Sequence, residues 1–146
     1  QHEPAKGAPT AADTKALRKC LRVVRRCLTL RECLPFKSPV DPSRDGLADY
    51  FKYVREPMDL GTMLQKLTGG QYTSPAEVVA DANLVWRNCV RYNGPDSVVS
   101  QCARVLHQTF VKEWQSETLP PYEELDYDFT PSSRSADGGA PSQTPA

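Results

Sequence analysis

The chain has 146 residues, 39% of them hydrophobic, with 18 basic and 18 acidic side chains and no net charge. That length sets one domain with a single core, and no window is apolar and long enough to span a bilayer or to serve as a secretory signal. The charge is unevenly spread: Lys15, Arg18, Lys19, Arg22, Arg25, Arg26 and Arg31 make one stretch basic, and Glu113, Glu117, Glu123, Glu124, Asp126 and Asp128 make another acidic.

Residues 1–12 carry Pro4, Gly7 and Pro9 without apolar periodicity and are expected to be disordered. The first helix is expected from about Thr14 to Cys33, capped by Asp13 or Thr14. Leu17, Leu21, Val24 and Leu28 form its apolar stripe, with Cys20 and Cys27 at the edge and the basic residues on the other face. Leu34-Pro35 ends it, because the residue before a proline is pushed out of the helical region. A long connection from Pro35 to about Ala48 follows, and its apolar Phe36, Val40 and Leu47 are expected to pack down. Asp49 to Val54 makes a short helical turn, interrupted at Arg55-Glu56-Pro57.

Asp59 opens the second main helix as N-cap, Leu60, Met63, Leu64 and Leu67 give its stripe, and Gly69-Gly70 stops it. Ser74-Pro75-Ala76-Glu77 reads as a capping box with proline at the first helical position. That third helix runs through Val78, Ala82, Val85, Trp86 and Cys89 to Asn93. The fourth starts near Ser97, with Val99, Cys102, Leu106, Phe110 and Trp114 at spacings of three and four. Residues 119–146 form a tail. Its stretch from Tyr122 to Phe129 alternates acidic and aromatic residues and either packs back or serves as an interaction segment; the rest is Ser, Gly and Pro-rich and expected to be largely disordered. No alternating strand pattern occurs. The expected fold is all-α, a left-handed four-helix bundle over residues 13–118 with a long loop between the first and second helices. A chain without an initiating Met is expected to be a trimmed piece of something longer or a processed form.

Asn93 has two readings. It sits on the apolar face four residues after Cys89, just before Gly94-Pro95. One reading is a helix C-cap, since Asn tolerates the left-handed conformation. The other is an amide held at the mouth of a pocket for a ligand carbonyl. Cys20, Cys27, Cys33, Cys89 and Cys102 are odd in number, widely spaced and without a CxxC pair, which argues against a disulfide framework and against zinc. They are expected to be small core hydrophobes in a reducing compartment. His107 has no motif around it that would supply Cys-His catalysis, and Gly69-Gly70 is followed by no phosphate-loop lysine. No cofactor is expected.

Three stretches resemble a bromodomain, and the resemblance runs from about residue 15 to 114. Leu34-Pro35-Phe36 with Pro39-Val40 resembles the family's Trp-Pro-Phe shelf and the Pro-Val after it. Asp49-Tyr50 through Pro57-Met58-Asp59-Leu60 resembles its Asp-Tyr and Pro-Met-Asp-Leu signature. Asn88-Cys89-Val90-Arg91-Tyr92-Asn93 resembles its Asn-Cys-x-x-Tyr-Asn signature. The resemblance implies a non-catalytic module that binds acetylated lysine, monomeric and nuclear, with acetylated histone tails, other acetylated proteins and chromatin-complex subunits as partners. It implies that the Asn93 amide donates to the acetyl carbonyl and that the Tyr50 hydroxyl reaches the same carbonyl through a water. Phe36, Val40 and Leu47 then line the walls, Val99 takes the gatekeeper position, and Tyr92 and Cys89 lie beside the pocket. The sequence departs from the family at Leu34, where members often carry Trp, and at Asp45, where some carry an apolar loop residue. Two other functions fit the residues: an interaction scaffold of this fold with little acetyl-lysine affinity, and weak direct nucleic-acid binding by the basic face of the first helix.

Overall fold

The computed structural model describes residues 7–124, and all regular structure among them is helical. Helix α1 covers Ala11–Leu28. Its N-cap is Thr10, whose hydroxyl accepts the Asp13 N–H at 3.0 Å while the Asp13 carboxylate accepts the Thr10 N–H at 3.4 Å. Asp13 therefore closes a capping box from inside the first turn and is not itself the cap, and residues 11 and 12 belong to the helix. The fully buried side chains of α1 are Cys20, Val23, Val24 and Cys27, with Leu17, Leu21 and Leu28 half-buried beside them. Val24 is buried as expected, but the leucines expected in the stripe and the cysteines expected at its edge have exchanged places. The later helices α4 (Leu60–Thr68) and α6 (Val98–Ser116) pack on α1 together, so small side chains take the middle of its buried arc and leucines fill the flanks.

α1 stops at Leu28, short of the expected Cys33. Thr29 ends it: its hydroxyl donates to the Arg26 carbonyl at 2.6 Å, and its N–H turns back to the same turn of helix. Leu30 is extended, and Arg31–Phe36 is a 3-10 segment with Pro35 inside it. The expected loop then holds one short helix, α2 (Pro42–Asp45), and the helical turn expected over residues 49–54 is α3 (Tyr50–Tyr53). The Asp41 carboxylate caps α2 through the N–H groups of Ser43 and Arg44, and Gly46, at φ 72°, ends it.

At α4 the expected cap is in place. The Asp59 carboxylate accepts the Thr62 N–H at 2.8 Å and the Thr62 hydroxyl at 2.7 Å. Helix α5 spans Pro75–Asn93, but the Ser74 side chain makes no capping bond. Glu77 instead accepts the N–H of Thr73, one residue before the cap, at 2.6 Å, so the expected capping box is displaced. α6 starts beside Ser97 as expected, and Ser97 caps it, accepting the Ser100 N–H at 3.1 Å.

α1, α4, α5 and α6 enclose the core as a four-helix bundle, with Trp86, Phe110, Trp114, Leu60, Met63 and Leu106 fully buried. The chain does not leave this core at residue 118. Leu119 and Tyr122 pack back on it. The Tyr122 hydroxyl accepts from Trp86 Nε1 at 3.1 Å and donates to Asn83 Oδ1 at 2.6 Å. Asn83 Nδ2 donates to the Glu123 carbonyl at 2.8 Å, and Trp114 Nε1 donates to the Pro120 carbonyl. The packing-back reading thus describes Tyr122 to Glu124; Leu125 to Phe129, with the remainder of the tail, lies outside the described residues. No helix among the described residues is long and apolar enough to cross a membrane.

Candidate functional site

The site is set by where α5 ends. Asn93 is its last residue, 1% exposed, and is not in the left-handed conformation. The C-cap is Gly94, at φ 81°, whose N–H bonds the Val90 carbonyl at 2.8 Å. This removes the capping reading: a side chain at the left-handed position would be strained, and glycine takes that position one residue later. The Asn93 amide nitrogen donates to the Cys89 carbonyl at 3.1 Å and lies 3.9 Å from Cys89 Sγ. An amide nitrogen carries two hydrogens, and this bond fixes the plane in which both point.

The turn after Asn93 is braced from α6. Ser100, with no exposed surface, donates its hydroxyl proton to the Gly94 carbonyl at 2.6 Å, and its oxygen lies 3.6 Å from Cys89 Sγ. Ser97 Oγ donates to the same carbonyl at 3.3 Å, and Gln101 Nε2 donates to the Pro95 carbonyl at 3.1 Å. Sequence reasoning missed this bracing role of Ser97, Ser100 and Gln101. Their signal was weak: a Ser at the cap, then a Ser and a Gln within the first helical turn.

The loop side forms its own small cluster. Leu47, Tyr50, Val54 and Tyr92 are buried together, with Val40 and Tyr53 half-buried against them. Four of the sequence-derived site residues (Val40, Leu47, Tyr50 and Tyr92) thus come together there. Tyr50 and Tyr92 meet edge to face, with ring centroids 5.1 Å apart. The Tyr92 hydroxyl donates to Asp49 Oδ1 at 2.7 Å, which ties α5 to the residue just before α3. Asn88 makes a second tie, donating to the Glu56 carbonyl at 2.8 Å. Burial pushes the Tyr50 phenol well above its ordinary value, with nearby Cys89, Tyr92 and Asp59 adding to it. Its hydroxyl is therefore protonated and able to donate at neutral pH. Burial, then the Asp49 carboxylate, pushes Tyr92 up to about 12.

Phe36, Cys89 and Val99 belong instead to the main core, each buried. Burial first of all pushes the Cys89 thiol up to about 12, so it is a neutral wall and not a nucleophile. Leu34 is 67% exposed and Pro35 half-buried, both on the 3-10 segment. Among the described residues no group of His, Cys, Asp and Glu is arranged to hold a metal. His107 lies away from this end of α5, with Nε2 at 2.8 Å from Glu124 Oε1 and its ring beside Trp86 and Tyr122.

Comparisons with known proteins bear on what this arrangement belongs to. The bromodomain family model matches residues 20–105. The SWR1 complex bromodomain subunit bdf1 of Schizosaccharomyces pombe is 41% identical over 105 residues, covering 72% of this chain and 18% of that protein. Transcription factor GTE11 of Arabidopsis thaliana is 36% identical over 107 residues, covering 73% and 17%. Bromodomain-containing factor 1 of Saccharomyces cerevisiae is 33% identical over 120 residues, covering 75% and 18%. The chain spans less than a fifth of the length of these relatives. A family match over more than half of the sequence, carried on an all-helical bundle, places this chain in the bromodomain family.

Proposed function

We propose that this domain is a non-catalytic reader of acetylated lysine on histone tails or other chromatin proteins, acting in the nucleus. The single observation that carries the reading is Asn93: a buried amide at the end of α5, oriented by the Cys89 carbonyl and flanked by the Val40, Leu47, Tyr50 and Tyr92 cluster. In this reading Asn93 Nδ2 donates to the acetyl carbonyl, and the protonated Tyr50 hydroxyl donates to a water on the same oxygen. The apolar walls at Val40, Leu47, Phe36 and Val99 take the methylenes of the lysine. Discrimination comes from those walls. Acetylation removes the ammonium charge, and an apolar pocket accepts a neutral amide where desolvating a cation is costly.

Three or four methylenes at ~0.8 kcal/mol each and one hydrogen bond of ~1 kcal/mol leave a few kcal/mol before association costs. A single acetyl-lysine then binds at roughly 10–1000 μM. The test is calorimetric titration of acetylated and unmodified histone-tail peptides against wild type and Asn93→Ala. The expected result is binding of the acetylated peptide alone, weakened roughly 5- to 150-fold by the substitution, the equivalent of about 1–3 kcal/mol. Equal binding of both peptides, or an unaffected variant, sinks the reading.

A second reading, an interaction scaffold with little acetyl-lysine affinity, draws on Leu34. An exposed aliphatic side chain stands there where the family often has Trp, which leaves the shelf without a flat ring. An acetyl-peptide array with no binder up to millimolar concentration favours it.

A further inference from the structure

We infer that the exposed face of α1 is a docking surface for the phosphate backbone of duplex DNA, separate from the Asn93 site. Six cations lie on this one helix, at Lys15, Arg18, Lys19, Arg22, Arg25 and Arg26, against one acid, Asp13, which is used in the cap. The helix thus carries a net +5 in a chain whose total is zero. At 3.6 residues per turn the six fall within an arc of about 120° and a length of about 16 Å. All but Lys19 are exposed.

A helix face that is merely solvated interleaves signs, so that partners three and four residues apart neutralise each other. α1 has no acid after Asp13 and forms no such pair. Among the described residues its two ion pairs run to α6 and its C-cap: Arg22 grips Glu117 through Nε at 3.1 Å and the terminal nitrogen at 2.8 Å, and Arg26 Nε stands 3.7 Å from Glu113. Lys19 Nζ reaches the Thr118 hydroxyl at 3.4 Å. Along this arc Arg18 and Arg25 take one edge, and Lys15 lies in the middle, between Arg22 and Arg26 in angle and about two to three turns before them. Lys15, Arg18 and Arg25 form no ion pair among the described residues.

The choice of partner follows from what the face lacks. Protein interfaces are anchored by buried apolar and aromatic side chains. Among the described residues the large apolar side chains that stand exposed are Leu34, Phe51, Val98 and Val105, and none is on α1. A phosphate backbone needs no such anchor. Over about 16 Å of axis, a duplex offers about five phosphates on each strand. Arginines are four of the six cations, and their planar guanidinium matches phosphate oxygens two at a time.

The experiment is fluorescence anisotropy of a labelled 20-base-pair duplex of mixed sequence, titrated with the protein between 50 and 200 mM salt. Three phosphates neutralised by Lys15, Arg18 and Arg25 predict about 40-fold weaker binding at the higher salt. Arg18→Gln with Arg25→Gln reduces that loss to about 3- to 4-fold, with helicity unchanged, because both side chains are exposed and unpaired. Lys15→Gln alone gives an intermediate salt dependence. The inference is overturned if no binding is detected at 50 mM salt up to 1 mM protein, or if the variants keep the wild-type salt dependence. It is equally overturned if poly-glutamate displaces the duplex as well as unlabelled duplex does at equal charge, which would make the face an acidic-protein surface.

Discussion

Gly61→Ala tests how the long loop is held against the bundle. Gly61 is in the first turn of α4, where a Cβ would collide with the Lys37 carbonyl oxygen and come within 3.2 Å of the Asp59 carboxylate. Contacts of that kind are not tolerated below about 3.0 Å, so the Lys37 backbone must retreat by at least about 1 Å. The obstacle is backbone, not the free end of a side chain, so no rotamer change relieves it. Overpacking of this sort costs about 1–3 kcal/mol, and the better helix propensity of alanine returns up to about 1. The net loss is about 1–2 kcal/mol, or roughly 4–10 °C in Tm for a domain of this size. Differential scanning fluorimetry reads it directly. Acetyl-peptide affinity should fall in parallel, because Lys37 leads into Val40 and Leu47. A Tm equal to or above wild type would refute the reasoning, since it would mean that the loop is not pressed on α4 at this point.

Tyr122→Phe removes the hydroxyl that accepts from Trp86 and donates to Asn83, and should lower stability by about 1–3 kcal/mol in urea unfolding without changing acetyl-peptide affinity. Alkaline stability should fall. Burial pushes the Cys20, Cys27 and Cys89 thiols up to about 12, whereas the unfolded chain releases those protons near 8.5. The folded pKa is raised, so the contribution is complete below about pH 8.5 and is lost as pH climbs toward 12. Urea midpoints of the reduced protein should drop between pH 9 and 11, less steeply in Cys27→Ala; a flat or rising profile contradicts this. In the native protein iodoacetamide should label Cys102 first by peptide mass mapping, because it alone of the five cysteines is not fully buried.

The sequence carried the helices more faithfully than their ends. Apolar periodicity located α4, α5 and α6. It misplaced the centre of the α1 stripe, because hydrophobicity alone does not say which part of a buried arc is deepest. The cap at Asp59 and the start of α6 near Ser97 were legible. The caps at Thr10 and Ser74 were not, since Asp13 and Glu77 are each within reach of more than one orphan N–H, and geometry decides. At the site, Val40, Leu47, Tyr50 and Tyr92 were named through the resemblance, but Val54, which joins them, and the serine bracing behind Gly94 were not legible. Ser100 looks like any polar residue in a first turn until α5 and α6 are brought together. Tyr122 was ambiguous for a similar reason: its two partners, Asn83 and Trp86, are 39 and 36 residues away in the chain.

The clasp at Tyr122 also determines how this module would act inside a longer polypeptide. Because Asn83 holds the Glu123 carbonyl, the chain departs from a fixed point beside the middle of α5, ten residues and about 15 Å of helix from Asn93. A second module on a flexible ten-residue linker would begin within about 17 Å of that anchor. Such a neighbour would meet marks on the same histone tail or nucleosome at millimolar effective concentration, so weak single-site recognition would be multiplied by tethering. Loosening the anchor would lengthen the tether and dilute that gain without touching either binding pocket.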